Sequence, residues 1–548
     1  MIVSDATKNK FKEIKEEAVK FHPRWKEICS YFLPTSGSFN DEQPDKLPEI
    51  EYLKQIDCDP NAYVMRLAAG LMSGMTNSSR EWFALGTDKG VWGETPEEAA
   101  YLKKRKERIE TRLHKGGVYL TLLKMYMELA TVGTYVYLVE KDAENGIRTI
   151  PLTIGEAYLG VGPKGKIDTF GRTFYMTPRE ILAEFGDATP DLVRERALNG
   201  KGNGERLAVH QLIEPNNTRM YGHLDASGKA YRSVYWMSNH PHYLRVSGYN
   251  HFPVIAPRWD IKHFNSIWGT GPGFVALGTV KSLQKMAADK CLGAELSIKP
   301  PVQADASMLS RDVNLKPGGI TYRQSLNTSK LEPVFTQPIN ISAIDQLIIE
   351  QKDILSRQFF TDVVLALLAN PKSDRTATEV AEISTERLSI MGPVMERLVT
   401  ENHKPLIELV DAYNEEQGFY DDLEVPETLQ GQEIKITFNS IFHEAQKASG
   451  TRSIELLMAS FANFSQLKPE ILDLLNADKI GRLMAEKLSV SEVLEEDETI
   501  ASIRQNRAQA QDEAHQAAQA QTQAQLAKTM AEAGAKQSSM DMRGGYGF

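Results

Sequence analysis

The residues whose types and spacing come closest to chemistry are Gly160-Val161-Gly162-Pro163-Lys164-Gly165-Lys166. They satisfy a dinucleotide-type glycine spacing and most of a phosphate loop, in which the free N–H groups of a following helix hold the phosphate. The continuation from Ile167 to Tyr175 reads instead as a strand, and Ile167 stands where a Mg²⁺-touching Ser or Thr is needed. A hairpin loop is the better reading, and a nucleotide-binding enzyme built on this loop the weaker alternative. His240, His242, His251 and His263 form no one-turn helical pair and have no acidic or thiol partner at ligand spacing. Cys29, Cys58 and Cys291 carry no catalytic or metal-binding spacing, and no serine sits in a nucleophile elbow. The carboxylates are spread along solvated helix faces, so no acid–base pair stands out. The expectation is no catalytic residue, no metal and no cofactor.

The elements that would carry any site point the same way. At 548 residues the chain is too long for one core. A hydrophobic content of 41% with 25% charged residues is that of a folded globular protein. No apolar run is long enough to span a bilayer, and Met1–Lys20 lacks a signal-peptide core, so synthesis in the cytoplasm and no membrane partner are expected. The formal charge of −10 opposes tight binding of nucleic acid but suits a wall past which it slides.

Helices are predicted over residues 5–33 (interrupted at His22-Pro23), from Val64 to Met75, over 95–115, from Val118 to Ala130, from Pro178 to Phe185 and from Phe274 to Leu296. Strands are predicted at Arg80–Leu85, Gly133–Val139, Ala157–Leu159, Thr169–Met176, Leu207–Glu214, Tyr231–Trp236, Tyr243–Ser247 and Glu433–Phe438. Further helices are expected across Ser453–Phe464, Pro469–Asn476 and Ala477–Leu488, before a Gln/Ala-rich end. The glycines of Trp268–Gly273 read as a sharp change of direction before a long helix. The stretch from Ile344 to Glu416 is the organising one. An amphipathic helix breaks at the apolar Val363–Ala369 and at Asn370-Pro371-Lys372-Ser373-Asp374-Arg375, then restarts at a Thr376–Glu379 capping box. Gly392 and Pro393 should kink that second helix.

Taken in order, these pieces resemble the portal, or head-to-tail connector, proteins of short-tailed bacteriophages over roughly residues 8–490. The resemblance rests on Val64–Met72 with Arg80–Leu85, on Val132–Leu138, on Pro257-Arg258-Trp259 leading through Trp268–Pro272 into Leu277–Lys290, and on Arg375–Val380. It implies an α+β, mainly helical subunit with wing, stem, clip and crown, assembling as a ring around a central channel. On that anatomy 1–265 is wing, 266–296 the first stem helix, 297–343 clip, 344–362 the second stem helix and 363–375 the tunnel loop. Residues 376–440 are a kinked long helix returning to the wing, 441–502 the crown, and 503–548 a helical or disordered tail.

The resemblance further implies a ring of twelve at one capsid vertex of the virion, assembled in the bacterial cytoplasm. Double-stranded DNA would pass through the channel in packaging and ejection. The implied protein partners are the terminase large subunit, a tail adaptor, and the major capsid and scaffolding proteins. Val363, Leu367, Leu368, Asn370, Lys372 and Arg375 would face DNA on the tunnel loop, with Lys281, Lys285 and Lys352 as channel-facing candidates on the stem. The competing structural reading is a virion or scaffold protein without a channel.

Overall fold

The computed structural model describes residues 2–39, 55–87, 95–200, 204–305, 314, 316–323, 332–333, 340–361 and 391–439, with scattered helical positions between 457 and 530. The chain divides into two units, Met1–His443 and Glu444–Phe548. The first unit mixes helix and sheet as the sequence predicts.

Helix α1 (Asp5–Val19) starts because the Ser4 hydroxyl accepts from the Thr7 N–H, and it buries Phe11, Ile14 and Ala18 at helical spacing. The interruption expected at His22-Pro23 is real. Helix α2 (His22–Phe32) restarts there with Pro23 in its first turn, where a missing N–H costs nothing. Helix α3 (Asp59–Met75) buries Val64, Leu67, Ala68 and Leu71. Strand β1 (Phe83–Gly86) precedes α4 (Pro96–Lys115), which opens on a complete Thr95–Glu98 capping box. Helix α4 is charged, yet it buries Tyr101, Leu102, Ile109 and Leu113 along one side.

Helix α5 (Val118–Thr131) leads into the hairpin of β2 (Val136–Asp142) and β3 (Gly146–Leu152), and β2 begins with four consecutive buried residues. Strands β4 (Ala157–Val161) and β5 (Ile167–Met176) follow, with α6 (Pro178–Phe185) and α7 (Asp191–Leu198) inserted before β6 (Leu207–Pro215), β7 (Tyr231–Met237) and β8 (Tyr243–Tyr249). Strands β4 to β8 make a five-stranded antiparallel sheet in sequence order. Helix α1 lies on one face, with Phe11 edge-on to Tyr158 and Trp236, where Gly171 leaves room for Phe11 and Ile14. Helix α6 packs on the other, its Ile181 and Phe185 joining Val209, Tyr235 and Leu244. Strand β9 (Val254–Ile255) adds to β2.

Two long helices come next. Helix α8 (Pro272–Ile298) has 27 residues, about 40 Å at 1.5 Å per residue. A small sheet follows, in which β10 (Val302–Asp305) pairs in parallel with β11 (Ile320–Arg323) and antiparallel with β12 (Glu332–Pro333). Helix α9 (Ile341–Gln358) packs back along α8. Residues 391–398 are helical, Val399–His403 form a π turn, and α10 (Lys404–Glu416) continues from it. Strand β13 (Lys435–Phe438) returns to pair with β1, Phe83 opposite Phe438. Strand β3, helix α7 and the short strands β9, β10 and β12 are among the elements the sequence pattern does not announce.

Candidate functional site

The long helices are half inserted and half free. The buried side of α8 runs from Pro272 to Ala287, and beyond it only Gly293 is buried. On α9 only Ile348 and Leu355 are buried. Gln284 of α8 sutures the chain before α3. Its carboxamide oxygen accepts from the Ile56 and Asp57 N–H groups at 2.7 and 3.0 Å, and its NH₂ donates to the Asp57 carbonyl at 2.7 Å. Lys352 of α9 reaches the same segment, 2.7 Å from both Asp57 and Asp59. Burial alone would lower its pKa, but the hydrogen bonds to the two carboxylates outweigh it and raise the pKa. Lys281 pairs with Glu27 of α2, and Lys290 with Asp345 at 2.6 Å ties α8 to α9. Lys285 is exposed and forms no ion pair among the described residues.

The entry to α8 is a backbone-on-backbone contact. Gly133, after α5, has φ +79, and a Cβ built on it would lie 2.2 Å from the Gly271 nitrogen. A Cβ on Gly271 would lie 2.4 Å from the Leu129 carbonyl oxygen. The Gly269 N–H donates to the Thr134 hydroxyl at 2.7 Å, and the Trp259 N–H to the Gly133 carbonyl at 2.9 Å. The glycine-rich corner at Trp268–Gly273 is therefore a turn packed against the end of α5, as its composition implies.

The far end of α9 is pinned too. Phe359 is fully buried against Phe32, ring centroids 5.1 Å apart, and Thr361 is buried with its hydroxyl donating to the Ser356 carbonyl. Between them Phe360 takes φ 53, a left-handed conformation that closes the helix without the usual glycine. Past the stretch that lies outside the described residues, Met391, Met395 and Leu398 are again buried.

The π turn at Val399–His403 is the most heavily bonded part of the region. Glu401 accepts from the Arg258 backbone N–H and takes its guanidinium bidentately at 3.1 and 2.8 Å. Arg258, 5% exposed, also donates to the Ser266 carbonyl at 2.6 Å. Asn402 accepts from the Tyr137 hydroxyl of β2 at 2.7 Å. His403 lies 3.1 Å from the Tyr126 hydroxyl of α5, which reaches on to Thr76 at the end of α3. Pro405 explains the irregular turn. It cannot donate to the carbonyl four residues back and its ring crowds that group, so the wider turn just ahead relieves the clash.

Burial among Tyr126, Trp82 and Phe438 drives the pKa of His403 down to about 3. A folded pKa below the unfolded value of 6.5 gives stability that is present above pH 6.5 and lost as pH falls toward 3. Buried Glu128 slopes the opposite way. Burial lifts its pKa to about 7, so its contribution is complete below 4.5 and lost as pH rises through 7. At pH 4, therefore, His403 should cost about 3 kcal/mol of the stability present at pH 7. His403→Gln removes this dependence, and the comparison of urea midpoints for the two proteins from pH 7 to 4 measures it. Parallel profiles would refute the assignment.

A family model described as bacteriophage head to tail connecting protein matches residues 4–494. The chain belongs to that family. It is 30% identical over 525 residues to the portal protein of Salmonella phage epsilon15, spanning 95% of this chain and 94% of the relative. It is 29% identical over 510 residues to the probable portal protein of Bordetella phage BPP-1, spanning 92% and 91%. The resemblance to phage portals read from the sequence blocks is borne out.

In this connector chain the residues singled out from sequence fall into three groups. Val363, Leu367, Leu368, Asn370, Lys372 and Arg375, the tunnel-loop set, lie outside the described residues. Lys281 and Lys352 carry ion pairs to the body, and Lys285 carries none among the described residues. Gly392 and Pro393 lie in the helical run 391–398, with the irregular turn further along at Val399–His403. Gly160–Lys166 is a hairpin between β4 and β5, closed by the Gly162 N–H on the Lys166 carbonyl at 2.9 Å. His240 and His242 face each other at 5.3 Å, while His251 and His263 are exposed. Among the described residues no group of three His, Cys, Asp or Glu is placed to hold a metal, and no helix is long and apolar enough to cross a membrane. Sequence reasoning missed the Glu401–Asn402–His403 anchor. Pro405 inside an otherwise helical pattern is the signal that marks it.

Proposed function

We propose that this chain is the portal subunit of a tailed phage, twelve copies forming the ring through which double-stranded DNA enters and leaves the capsid. The observation that carries the reading is the match to connector and portal proteins along nearly the whole chain. The physical features agree with it. Val275, Leu292 and Ile298 on α8 and Leu347 and Ile349 on α9 are exposed apolar side chains on helices whose inner sides are already used. Neighbouring subunits would cover them. The net charge of −10 per copy suits a conduit that must not hold DNA.

On this reading α8 and α9 are the stem and the sheet of β10, β11 and β12 belongs to the clip, where the terminase large subunit and then the tail adaptor dock. Residues 363–375 form the tunnel loop, and residues 441 onward the crown and tail. The wing contacts the major capsid and scaffolding proteins. Lys285, exposed and unpaired among the described residues, is the strongest of the three stem lysines for phosphate contact, because Lys281 and Lys352 already spend their charge on Glu27, Asp57 and Asp59.

Electron microscopy of the purified protein is expected to give rings with an axial hole. Monomers alone under assembly conditions would overturn the proposal. Deleting Leu367–Lys372 is expected to leave those rings intact while DNA packaging, measured as nuclease-protected genome, is lost. Normal packaging by intact rings of the deletion variant would remove the loop from the DNA path.

A further inference from the structure

The face of the five-stranded sheet turned away from α1 forms, with α6, the β2–β3 hairpin and α10, a cleft of about 520 Å³. Its floor is one row across the strands, since Arg172 pairs with Gln211, Gln211 with Tyr235, and Tyr235 with Arg245. Gln211 is fully buried and fixes the row. Its side-chain oxygen accepts from Arg172 Nε at 2.7 Å and its NH₂ donates to the Tyr235 hydroxyl at 2.6 Å. Arg172 lies over Phe174, 4.6 Å to the ring centre, and Arg245 over Phe185 at 5.1 Å. The row is thus an aromatic platform with a guanidinium at each end.

The charges of the cleft do not balance. Each of its three carboxylates is engaged: Glu140 with Arg148 at 3.0 Å, Glu184 with Arg245 at 2.8 Å, and Glu416 with Lys141. Arg172 and Lys229 form no ion pair among the described residues. The charge of Glu156 reaches Arg172 from the neighbouring smaller cleft, without an ion pair. With its Nε held by Gln211, the outer edge of the Arg172 guanidinium is left to face a carboxylate.

We propose that this cleft docks an acidic peptide segment of a partner protein, with carboxylates on Arg172 and Lys229 and an apolar side chain on the Phe174–Phe185 platform. Two unmatched cations beside aromatic faces complement such a segment, and the volume is that of a ligand cleft able to hold a few residues. Duplex DNA, about 20 Å across, is too wide to enter a cavity of this size. The inference does not depend on ring formation or on the channel.

The test uses the full-length protein and a fluorescein-labelled hexapeptide alternating Glu and Phe, with a control peptide in which every Glu is Gln. Fluorescence anisotropy should show the Glu peptide binding about tenfold more tightly than the control, more weakly at higher salt. Lys229→Glu, at a half-buried position with no ion pair to lose among the described residues, should weaken Glu-peptide binding about tenfold, and Arg172→Gln should do the same. Thermal melts of both variants matching the parent exclude misfolding as the cause. Equal binding of the two peptides, or unchanged affinity in both folded variants, would overturn the proposal. So would displacement of the peptide by a single-stranded oligonucleotide but not by excess unlabelled Glu peptide, which would assign the cleft to nucleic acid.

Discussion

Arg258→Ala is expected to lower the unfolding free energy by about 3–5 kcal/mol, the range for leaving one partner of a buried ion pair unmatched. The pair qualifies on geometry. Arg258 and Glu401 side chains are 6% and 18% exposed, and Glu401 receives three hydrogen bonds from Arg258 alone. After the substitution the Ser266 carbonyl also loses its 2.6 Å donor, and the cation left near Glu401 among the described residues is Arg397 at 3.7 Å. The backbone N–H of residue 258 still reaches Glu401, which keeps the expected loss toward the lower end.

The double variant Arg258→Met with Glu401→Leu should recover most of the loss, because replacing both charges leaves no buried ion uncompensated. Urea unfolding monitored by circular dichroism measures both variants against the parent. A loss below about 1 kcal/mol for Arg258→Ala would mean the pair behaves as a solvent-screened surface bridge and does not anchor the π turn.

That anchor illustrates where the sequence is legible and where it is not. Helix α6 is readable residue for residue because Thr177, Pro178 and Glu180 mark its start and Phe185-Gly186 its end. The strands of the large sheet are readable because short runs rich in β-branched and aromatic residues are bounded by glycine-, proline- and asparagine-bearing turns. Strand β3 hides because Pro151 near its end and polar Arg148 and Thr149 mask the alternation. Helix α7 hides because only Val193 and Ala197 are buried, too few to mark a stripe.

The candidate site fails to read for a different reason. A helical wheel gives the direction of Lys352 but not the segment from Ile56 to Asp57 that crosses it, which comes from a distant part of the chain. Glu401, Asn402 and His403 read as solvated because three polar residues in succession usually are. Glu401, the Asn402 carboxamide oxygen and His403 find partners inside only because Arg258, Tyr137 and Tyr126 arrive from three separate elements, while the buried Asn402 nitrogen has no partner among the described residues. Phe360 closes α9 in a left-handed conformation, where the sequence offers neither Gly nor Asn as a marker. The order of blocks along the chain carries the family, since it survives without any of these contacts being known.

Gly133→Ala is the second large effect expected, and it tests how α8 is mounted. Two costs combine at this position. An alanine at φ +79 is in a region that disfavours a Cβ by about 1–2 kcal/mol. Its Cβ would also stand 2.2 Å from the Gly271 nitrogen and 2.3 Å from the Thr270 carbonyl carbon, both backbone atoms that cannot rotate away. Overpacking of that kind costs about 1–3 kcal/mol, so the variant should lose about 2–5 kcal/mol in total. Relief requires the corner to move off the end of α5, which breaks the Gly269 N–H bond to Thr134 and tilts the whole of α8. Gly278→Ala supplies the contrast within the same helix, since nothing lies within 4 Å of its added Cβ. There alanine should be neutral or stabilising by up to about 1 kcal/mol in the isolated subunit. If Gly133→Ala unfolds at the same urea concentration as the parent, α8 is not held by this contact. Gln284 on the Ile56–Asp57 segment and the Lys281–Glu27 ion pair would then have to carry its orientation.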